Sequence, residues 1–420
     1  MRYIPVLSFF VFIDRFLQLF YNFIQMCVKR MRMGDSTMNE LRRHRLVFKI
    51  VPLVDMFLKL RFNYKYDSLS KVEGPYLLLA NHNLELDPAF VGVAAKKHLY
   101  FVASEHILRK GIGTWLLMTF FKPIIHMKGR QGMNTIKEML KTLKEGHSVC
   151  IFPEGNRSFN GLTGEILPSI GKVAKRSGAK LVTYRIEGGY LSQPRWSTTL
   201  RKGKMQGRLM KVYSVDELKA MTDEQINESI CSDLYEDAYA TQSKEKIAFR
   251  GKNLAFGMES AIFACPACGK IGGLHSDADH LYCDCGFRAK YDVYGELTEE
   301  SGKKYTLTEL DMLQRQRLEE LVLAAKPEEQ LFADKVMVYT IDKEHNLTDT
   351  KEETLAAYVD GFAIGEMKIT IEDIQGMAIV SRNFIILHIK GMEGHIEIKS
   401  DVSFSALKYL YLFEMKDKVQ

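Results

Sequence analysis

Short apolar runs alternate with amphipathic stretches along the chain from residue 46 to about residue 250. Compact apolar runs indicate buried strands, whereas apolar residues spaced three or four positions apart indicate helices. This pattern predicts strands at 76–80, 98–103, 148–152 and 181–186, and helices at 46–60, 134–145 and 168–177. Strands that alternate with helices are typical of an α/β domain with a largely parallel sheet flanked by helices, which we predict for 46–250.

The pattern changes in the second half of the chain. A cysteine-rich stretch at 258–292 is followed by a charged helical connector at 300–330, whose helix is predicted at 307–325. Alternating apolar and polar residues in 331–420 then predict a small β-rich domain that ends in an amphipathic helix. This order of strands and helix resembles pleckstrin-homology or GRAM-like domains, and a small α+β packing domain is the alternative.

Residues 1–45 contain an apolar stretch, 4–28, that is interrupted by Asp14 and Arg15. Each charge near the centre of a spanning helix costs about 2.5–3.5 kcal/mol. On a helical wheel the polar residues of this stretch fall within an arc of about 120°, opposite a wide apolar face. Such a helix is typical of attachment in the membrane interface, which we predict here, with a buried core helix and a spanning helix as alternatives.

The distribution of charge favours a membrane surface as a partner. The formal net charge is +6, and residues 1–50 hold nine basic and three acidic residues, so the whole excess lies at this end. Basic residues beside aliphatic and aromatic ones suit an anionic bilayer better than nucleic acid, which we do not expect as a partner. Because no small-residue cleavage site follows the apolar stretch, we predict a membrane-associated protein on the cytoplasmic face.

Two polar motifs follow two of the predicted strands. His82 and Asp87 come after the first predicted strand, and the sequence FPEGNRS begins at Phe152, the end of the third. The carboxyl ends of parallel strands meet at one edge of a sheet, so both motifs are predicted to face one crevice. Asp87 precedes Pro88, however, so a simple helix N-cap is the alternative for the aspartate.

The first motif is NH, four residues and Asp, and FPEG-x-RS follows about 70 residues later. Together they resemble the phospholipid/glycerol acyltransferase superfamily, which includes the lysophosphatidate acyltransferases, over roughly residues 70–190. The resemblance implies that His82 is the general base that takes the proton of an acceptor hydroxyl, with Asp87 orienting its ring. No serine or cysteine nucleophile is then required, because the acceptor supplies the attacking oxygen.

The same resemblance implies contacts between the second motif and an acyl acceptor. Arg157 is expected to bind the acceptor's phosphate through its guanidinium fork, and Arg130 to add a weaker phosphate contact. Gly155 is expected to allow close backbone approach, and Glu154 to order the loop or the acceptor. The chain departs from the family at Asn156, where threonine is usual, and lacks a lysine and a proline that two other motifs often contain. These departures leave the acceptor head group open.

Four cysteines lie in two close pairs, Cys265 with Cys268 and Cys283 with Cys285, and each pair is followed by a glycine. This arrangement resembles a zinc ribbon, and four thiolates leave no open position on the ion, so the Zn²⁺ is expected to be structural. Disulfides or free thiols are the alternatives, and His275 and His280 are candidate substitute ligands. We expect the ribbon to be tethered to the α/β domain rather than packed on it.

We therefore predict a membrane-associated O-acyltransferase of phospholipid biosynthesis. It would move a fatty acyl chain from acyl-CoA or acyl carrier protein to the hydroxyl of a lysophospholipid, with 1-acylglycerol-3-phosphate as the preferred acceptor. Another lysophospholipid or lipid acceptor is the first alternative. A zinc-ribbon adaptor whose acyltransferase fold has lost catalysis is the second, and the intact residues His82, Asp87, Glu154 and Arg157 argue against it.

Overall fold

The structure is a computed structural model that describes residues 40–105, 117–126, 132–344 and 346–415. The chain divides after Ile50 into two compact units, and the larger one begins at Val51. Most of the predicted membrane-associated segment, 1–45, lies outside the described residues, so the interfacial helix stays a prediction. Among the helices that are described, none combines the length and the apolar character that crossing a bilayer requires.

A seven-stranded sheet organises the first half of the larger unit. Its strands are β1 (Tyr64–Tyr66), β2 (Tyr76–Ala80), β3 (Leu99–Ser104), β4 (Ile124–His126), β5 (Ser148–Ile151), β6 (Lys180–Glu187) and β7 (Met205–Tyr213). Their order across the sheet is β1-β7-β6-β2-β5-β3-β4. The five strands from β6 to β4 are parallel, whereas β7 pairs antiparallel with β6 and parallel with β1. The predicted α/β class with a largely parallel sheet is confirmed.

The helices of this part of the chain are α1 (Glu40–Phe62), α2 (Asp87–Ala95), α3 (Met133–Lys144), α4 (Ser169–Arg176), α5 (Gly189–Ser192), α6 (Val215–Ala220), α7 (Asp223–Leu234) and α8 (Ala238–Glu245), together with a π-helical turn, Leu117–Phe121. Helix α2 packs on one face of the sheet, and helices α3, α4 and α7 pack on the other. Successive residues of β2 enter two different cores, since Leu78 clusters with Phe90 of α2 and Leu77 with Met139 of α3. A strand that is covered on both faces is apolar at every position, which explains the continuous run YLLLA.

The cysteine-rich stretch folds into a small antiparallel sheet. Its strands are β8 (Leu274–Ser276), β9 (His280–Cys283), β10 (Arg288–Tyr291), β11 (Leu297–Glu299) and β12 (Lys304–Tyr305). The ring of Trp196 meets Tyr291 edge-on, with centroids 5.7 Å apart, and Phe249 N donates to the carbonyl of Val293 at 2.7 Å. The expectation of a merely tethered ribbon is wrong, because its apolar side chains complete one core with the α/β domain.

The connector helix α9 (Leu307–Ala324) leads into the β-rich C-terminal region. The strands of this region are β13 (Phe332–Ile341), β14 (Leu347–Tyr358), β15 (Gly361–Ile364), β16 (Met367–Thr370), β17 (Ile374–Val380), β18 (Phe384–Ile389) and β19 (His395–Lys399). They form one antiparallel sheet in the order β16-β15-β14-β13-β19-β18-β17, and the closing helix α10 (Ala406–Glu414) packs against β17. The predicted β-rich region ending in a helix is confirmed, and its likeness to pleckstrin-homology or GRAM domains stays a prediction.

Candidate active site

The carboxyl ends of β2 and β5 place the two motifs side by side. Leu79 pairs with Ile151 in parallel register, so the residues after both strands leave the sheet at the same edge. The ring of His82 stacks on Phe152, with centroids 4.7 Å apart and planes 26° from parallel. At the far end of FPEGNRS, Ser158 N donates to the carbonyl of His82 at 3.1 Å. The structure therefore brings the two motifs into direct contact.

His82 and Asp87 form a hydrogen-bonded pair. His82 Nδ1 lies 2.8 Å from Asp87 Oδ2. The same oxygen accepts the backbone N–H groups of Asn83 and Leu84 at 2.7 and 3.0 Å. The Asp87 side chain is fully buried, whereas 23% of the His82 side chain is exposed. Donation from Nδ1 to the carboxylate leaves Nε2 as the basic nitrogen of the neutral ring, which is the arrangement that a histidine general base requires.

The carboxylate of Asp87 does not cap the helix that follows it. α2 begins at Asp87 itself, the N-cap position is occupied by Leu86, and no side chain caps this helix. Pro88 lies in the first turn, where its missing N–H removes no helical hydrogen bond. The helix-cap alternative is therefore wrong, because the carboxylate accepts hydrogen bonds from the loop that carries His82.

Glu154 joins the two motifs through the backbone. Its Oε1 accepts the N–H of His82 and its Oε2 accepts the N–H of Gly164, both at 2.6 Å. Burial raises the pKa of Glu154 to about 8, and the two N–H donors oppose that rise. Gly155 has a φ of +65°, and an added Cβ would meet no atom within 4 Å. Its left-handed conformation therefore accounts for the glycine, and both oxygens of the neighbouring carboxyl order the loop.

Arg157 lies in the second motif with most of its side chain buried. The exposed fraction of this side chain is 9%, and burial lowers the pKa of the guanidinium. Its Nη2 lies 3.3 Å from Glu85 Oε1, in a side chain that is itself 60% exposed. A contact with an exposed carboxylate contributes about 0–1 kcal/mol, so an anionic ligand can replace it at little cost. Arg130, the other predicted phosphate contact, lies outside the described residues and stays a prediction.

A buried carboxyl outside both motifs completes the site. Glu236, which is 4% exposed, accepts the side-chain amides of Asn81 and Asn83 on one oxygen. Its other oxygen accepts the N–H of Gly188 at 2.9 Å, and burial raises the pKa of Glu236 to about 8. The two asparagines flank His82 and are the local sequence signal for this network. Glu236 itself gives no signal, because it lies 155 residues from Asn81 and in no motif.

The four predicted metal ligands converge in the ribbon. The Sγ atoms of Cys265, Cys268, Cys283 and Cys285 all lie within 4.8 Å of one another. The separation is 3.6 Å between Cys265 and Cys285, and 3.9 Å between Cys268 and Cys283. A tetrahedral zinc ion about 2.3 Å from each sulfur spaces the sulfurs about 3.8 Å apart, so the four thiols fit that ion.

The backbone around the thiols has the turns that a metal knuckle needs. Gly269 and Gly286 follow the two cysteine pairs with φ values of +73° and +98°, a region that favours glycine. A backbone N–H lowers the pKa of Cys285 to about 7, whereas burial raises the pKa of Cys265 to about 12 and also raises that of Cys283. Among the described residues, the cluster includes neither His275 nor His280, and its cysteines are free thiols. The histidine and disulfide alternatives therefore find no support.

Known proteins resemble part of this chain. The Acyltransferase family model matches residues 61–187. Over 147 residues the chain is 25% identical to the chloroplast 1-acyl-sn-glycerol-3-phosphate acyltransferase LPAT1 of Arabidopsis thaliana. The match covers 34% of this chain and 41% of that relative, so the chain spans less than half of the relative's length. The crystal structure of the 1-acyl-sn-glycerophosphate acyltransferase PlsC from Thermotoga maritima aligns with 52% of this chain and 90% of its own, at 17% identity and a TM-score of 0.43.

Proposed function

We propose, from the premise that residues 61–187 form a domain of the phospholipid/glycerol acyltransferase superfamily, that this protein is an O-acyltransferase. It moves a fatty acyl chain from a thioester donor, acyl-CoA or acyl carrier protein, to the hydroxyl of a lysophospholipid. The observation that carries the proposal is the hydrogen-bonded pair of His82 and Asp87, held against the FPEG-x-RS loop by Glu154. The proposed acceptor is 1-acylglycerol-3-phosphate, the acceptor for which the Arabidopsis relative is named.

The side chains of the pair account for the proton movements of this reaction. His82 Nε2 takes the proton of the acceptor hydroxyl as the hydroxyl oxygen attacks the carbonyl carbon of the thioester. When the tetrahedral intermediate collapses, the carbon–sulfur bond breaks and the imidazolium returns the proton to the leaving thiolate. Asp87 stabilises the imidazolium between the two steps. The products are an ester and a free thiol, so atoms and charges balance without an enzyme nucleophile.

Arg157 is the proposed anchor for the phosphate of the acceptor. A guanidinium binds phosphate through two directed hydrogen bonds, which a point charge such as lysine does not reproduce. Its partner Glu85 is largely exposed, so an entering phosphate can displace that carboxylate. Glu154 and Gly155 support this anchor by shaping the loop that carries it. Arg130 is proposed as a second phosphate contact.

Attachment to a membrane is the proposed role of residues 1–45. Their amphipathic pattern and basic charge suit insertion into an anionic membrane surface from the cytoplasmic side. Lysophospholipids reside in that surface, so an enzyme held there meets its acceptor without extracting it far into water.

A structural Zn²⁺ is proposed for the ribbon, held by the thiolates of Cys265, Cys268, Cys283 and Cys285. When bound, this ion supplies folding free energy to the ribbon. It takes no part in acyl transfer, because four thiolates leave no open position on the ion.

A panel of substrates tests the proposed reaction. The full-length protein is incubated in lipid vesicles with labelled acyl-CoA or acyl carrier protein and with a set of acceptors. The set comprises 1-acylglycerol-3-phosphate, lysophospholipids with other head groups, and an uncharged monoacylglycerol. We expect 1-acylglycerol-3-phosphate to be esterified fastest. Faster esterification of a different acceptor would keep the reaction and correct the acceptor, whereas no product from any combination with folded protein would exclude the function.

A further inference from the structure

Arg195 is a buried cation that belongs to neither motif. It lies in the loop after α5 and is 3% exposed. Its Nη1 donates to the carbonyl of Arg157 at 2.9 Å, and its Nη2 lies 3.5 Å from Asn156 Oδ1. The same guanidinium donates from Nη2 to the carbonyl of Ile379 at 2.9 Å and from Nε to the carbonyl of Ser381. All three of its nitrogen atoms therefore have oxygen partners.

These partners belong to two distant parts of the chain. Asn156 and Arg157 lie in the FPEGNRS loop, which is proposed to hold the acyl acceptor. Ile379 lies in β17 and Ser381 directly follows that strand, 184 and 186 residues from Arg195. A guanidinium is planar and its N–H bonds point in fixed directions, so it fixes the relative positions of the carbonyls that it bridges. Arg195 is therefore a rigid link between the loop and the C-terminal sheet.

Burying the positive charge of Arg195 costs free energy, because the charge is removed from water. Within the described part of the chain, the hydrogen-bond partners of Arg195 are carbonyl and amide oxygens rather than carboxylates. Burial lowers the pKa of Arg195 well below its ordinary value, and the neighbouring charge of Arg157 lowers the pKa further. The ring of Phe159, 3.8 Å from the guanidinium carbon, offsets a small part of this cost. An anion close to Arg195 would offset part of this cost, and a phosphate bound at Arg157 would be such an anion.

The connector helix holds the same loop a few residues further along. Asn160 Nδ2 donates to Asp311 Oδ2 at 2.9 Å, and Thr308 Oγ1 donates to the carbonyl of Asn160 at 2.8 Å. Asp311 is itself buried and accepts the hydroxyl of Tyr411 from α10. Two elements of the C-terminal half, β17 and α9, therefore hold the loop between residues 156 and 160.

We propose that Arg195 is a positioning residue for the acyl-acceptor site, and that β17 of the C-terminal sheet is, through it, an integral part of that site. The inference rests on the proposed function, because the loop meets an acceptor only if the protein is an acyltransferase. Arg195 sets the position of the backbone that carries Arg157 and adds a second positive charge next to that of Arg157. The C-terminal region then contributes to acceptor binding instead of serving as a separate module.

Three full-length variants separate positioning of the loop from general stability. Arg195→Met keeps an unbranched, flexible stem and removes the charge and the donors, whereas Arg195→Lys keeps the charge and loses the fork. Arg201→Met is the matched control, since Arg201 is equally buried in the same loop, at 1% exposure. The hydrogen bonds of its side chain to described residues go to the carbonyl of Leu254 and the hydroxyl of Tyr291, not to the acceptor loop.

Kinetics with 1-acylglycerol-3-phosphate and the donor measure the two KM values separately. We expect Arg195→Met to raise the KM of the acceptor about 10- to 100-fold, because misplacing a binding group by about 1 Å has effects of this size. The KM of the donor should change less than about twofold, which marks a loss confined to one substrate. Arg195→Lys should fall between the wild type and Arg195→Met. Arg201→Met should lower the melting temperature while leaving the ratio of the two KM values unchanged.

Hydrogen–deuterium exchange tests the positioning without any substrate. The backbone amides of residues 155–161 should exchange faster in Arg195→Met than in the wild type, and at the wild-type rate in Arg201→Met. A folded Arg195→Met protein with wild-type exchange in this loop and a wild-type acceptor KM would overturn the inference. If the wild type esterifies no acceptor, the proposed function fails and the exchange rates still decide whether Arg195 holds the loop. If Arg195→Met does not fold, Arg195→Lys supports the same comparison.

Discussion

The site at the strand ends and the thiol cluster of the ribbon are stabilised in different ways. At the strand ends each polar group has protein partners, since Asp87 accepts two backbone N–H groups, Glu154 joins two loops and Glu236 holds two asparagines. In the ribbon four thiols lie within 4.8 Å of one another, and their spacing suits a metal ion. Protein groups supply the hydrogen bonds of the first arrangement, whereas the second is proposed to obtain its stability from a metal ion. Substitutions in the first should therefore change the chemistry, and substitutions in the second should change folding.

The largest effect is expected for His82→Ala, which removes the proposed base from a site that the remaining contacts keep folded. Losing a general base lowers turnover about 10²–10⁴-fold. The melting temperature should change little, because the ring is partly exposed and the backbone of residue 82 keeps its bond to Glu154. Labelled acyl transfer and thermal unfolding measure the two quantities. His275→Ala, in an exposed ribbon histidine, is the control and should leave turnover unchanged, whereas near wild-type turnover in His82→Ala would refute the mechanism.

The next largest effect is expected from the opposite region. Replacing Cys265 and Cys268 by serine removes two of the four thiolates, so zinc should be lost and residues 258–292 should become sensitive to protease. Because Trp196 packs on Tyr291, the loss should also lower the melting temperature of the whole protein and reduce acyl transfer. Metal analysis, limited proteolysis and thermal unfolding provide the measurements.

Cys231→Ser is the control for the thiol substitutions, because Cys231 lies outside the cluster. The Cys231→Ser protein should therefore keep about one zinc ion per chain. Wild-type protein that contains no zinc after purification without chelator would contradict the assignment. Full activity after loss of zinc would mean that acyl transfer does not depend on the packing between the ribbon and the α/β domain. Either result would remove the contrast between the two regions.

Local spacing suffices to predict some parts of the candidate active site. His82 lies in the loop after an apolar run that identifies a buried strand, and Asp87 is the first residue of the helix that follows, so neither depends on distant sequence. Arg195 and Glu236 do not have this property, because they contact residues 184 and 155 positions away and their neighbours form no motif. The packing of the ribbon on the α/β domain is not predicted for the same reason, because the distance between two segments along the chain does not indicate whether their apolar faces meet.

Some strands of the seven-stranded sheet can be predicted from local sequence, whereas others depend on residues far away in sequence. Strands β2, β3, β5 and β6 lie within one residue of their predicted positions, because each contains a run of apolar residues at or near its centre. β7 is not predicted, since exposed basic residues and Gly207 interrupt its apolar pattern. A Cβ at Gly207 would lie 2.2 Å or less from the hydroxyls of Tyr64 and Tyr184, so the glycine is required by strands that are far away in sequence.

A smaller effect, confined to one substrate, is expected for Arg157→Lys. Lysine keeps the charge and loses the bidentate fork, so the KM of the phosphate-bearing acceptor should rise about tenfold, the value of one charged hydrogen bond. The KM of the donor should stay unchanged. Arg288→Lys, in an exposed ribbon arginine, is the control and should affect neither constant. Equal increases in both KM values would assign Arg157 to the fold rather than to the acceptor.

The smallest effect concerns the pH dependence of folding at the strand-end site. Burial raises the pKa of Glu236 from its usual value of 4.5 to about 8. A carboxyl group whose pKa is higher in the folded than in the unfolded chain contributes stability that is complete below pH 4.5 and lost as the pH rises through about 8. The free energy of unfolding of the wild type should therefore fall across this range.

Glu236→Gln tests this linkage, because glutamine fills the same space and does not titrate. The variant should be less stable at low pH, since its side chain accepts hydrogen bonds on one oxygen only while Asn81, Asn83 and Gly188 offer three donors. Its free energy of unfolding should nevertheless depend less steeply on pH than that of the wild type, and urea unfolding between about pH 5 and pH 8 measures the slope. Parallel slopes in the two proteins would mean that Glu236 stays ionised when folded, with its three donors outweighing burial. The network around His82 would then be held by the hydrogen bonds of a buried carboxylate, in contrast to the ribbon, whose thiol cluster is proposed to be held by a metal ion.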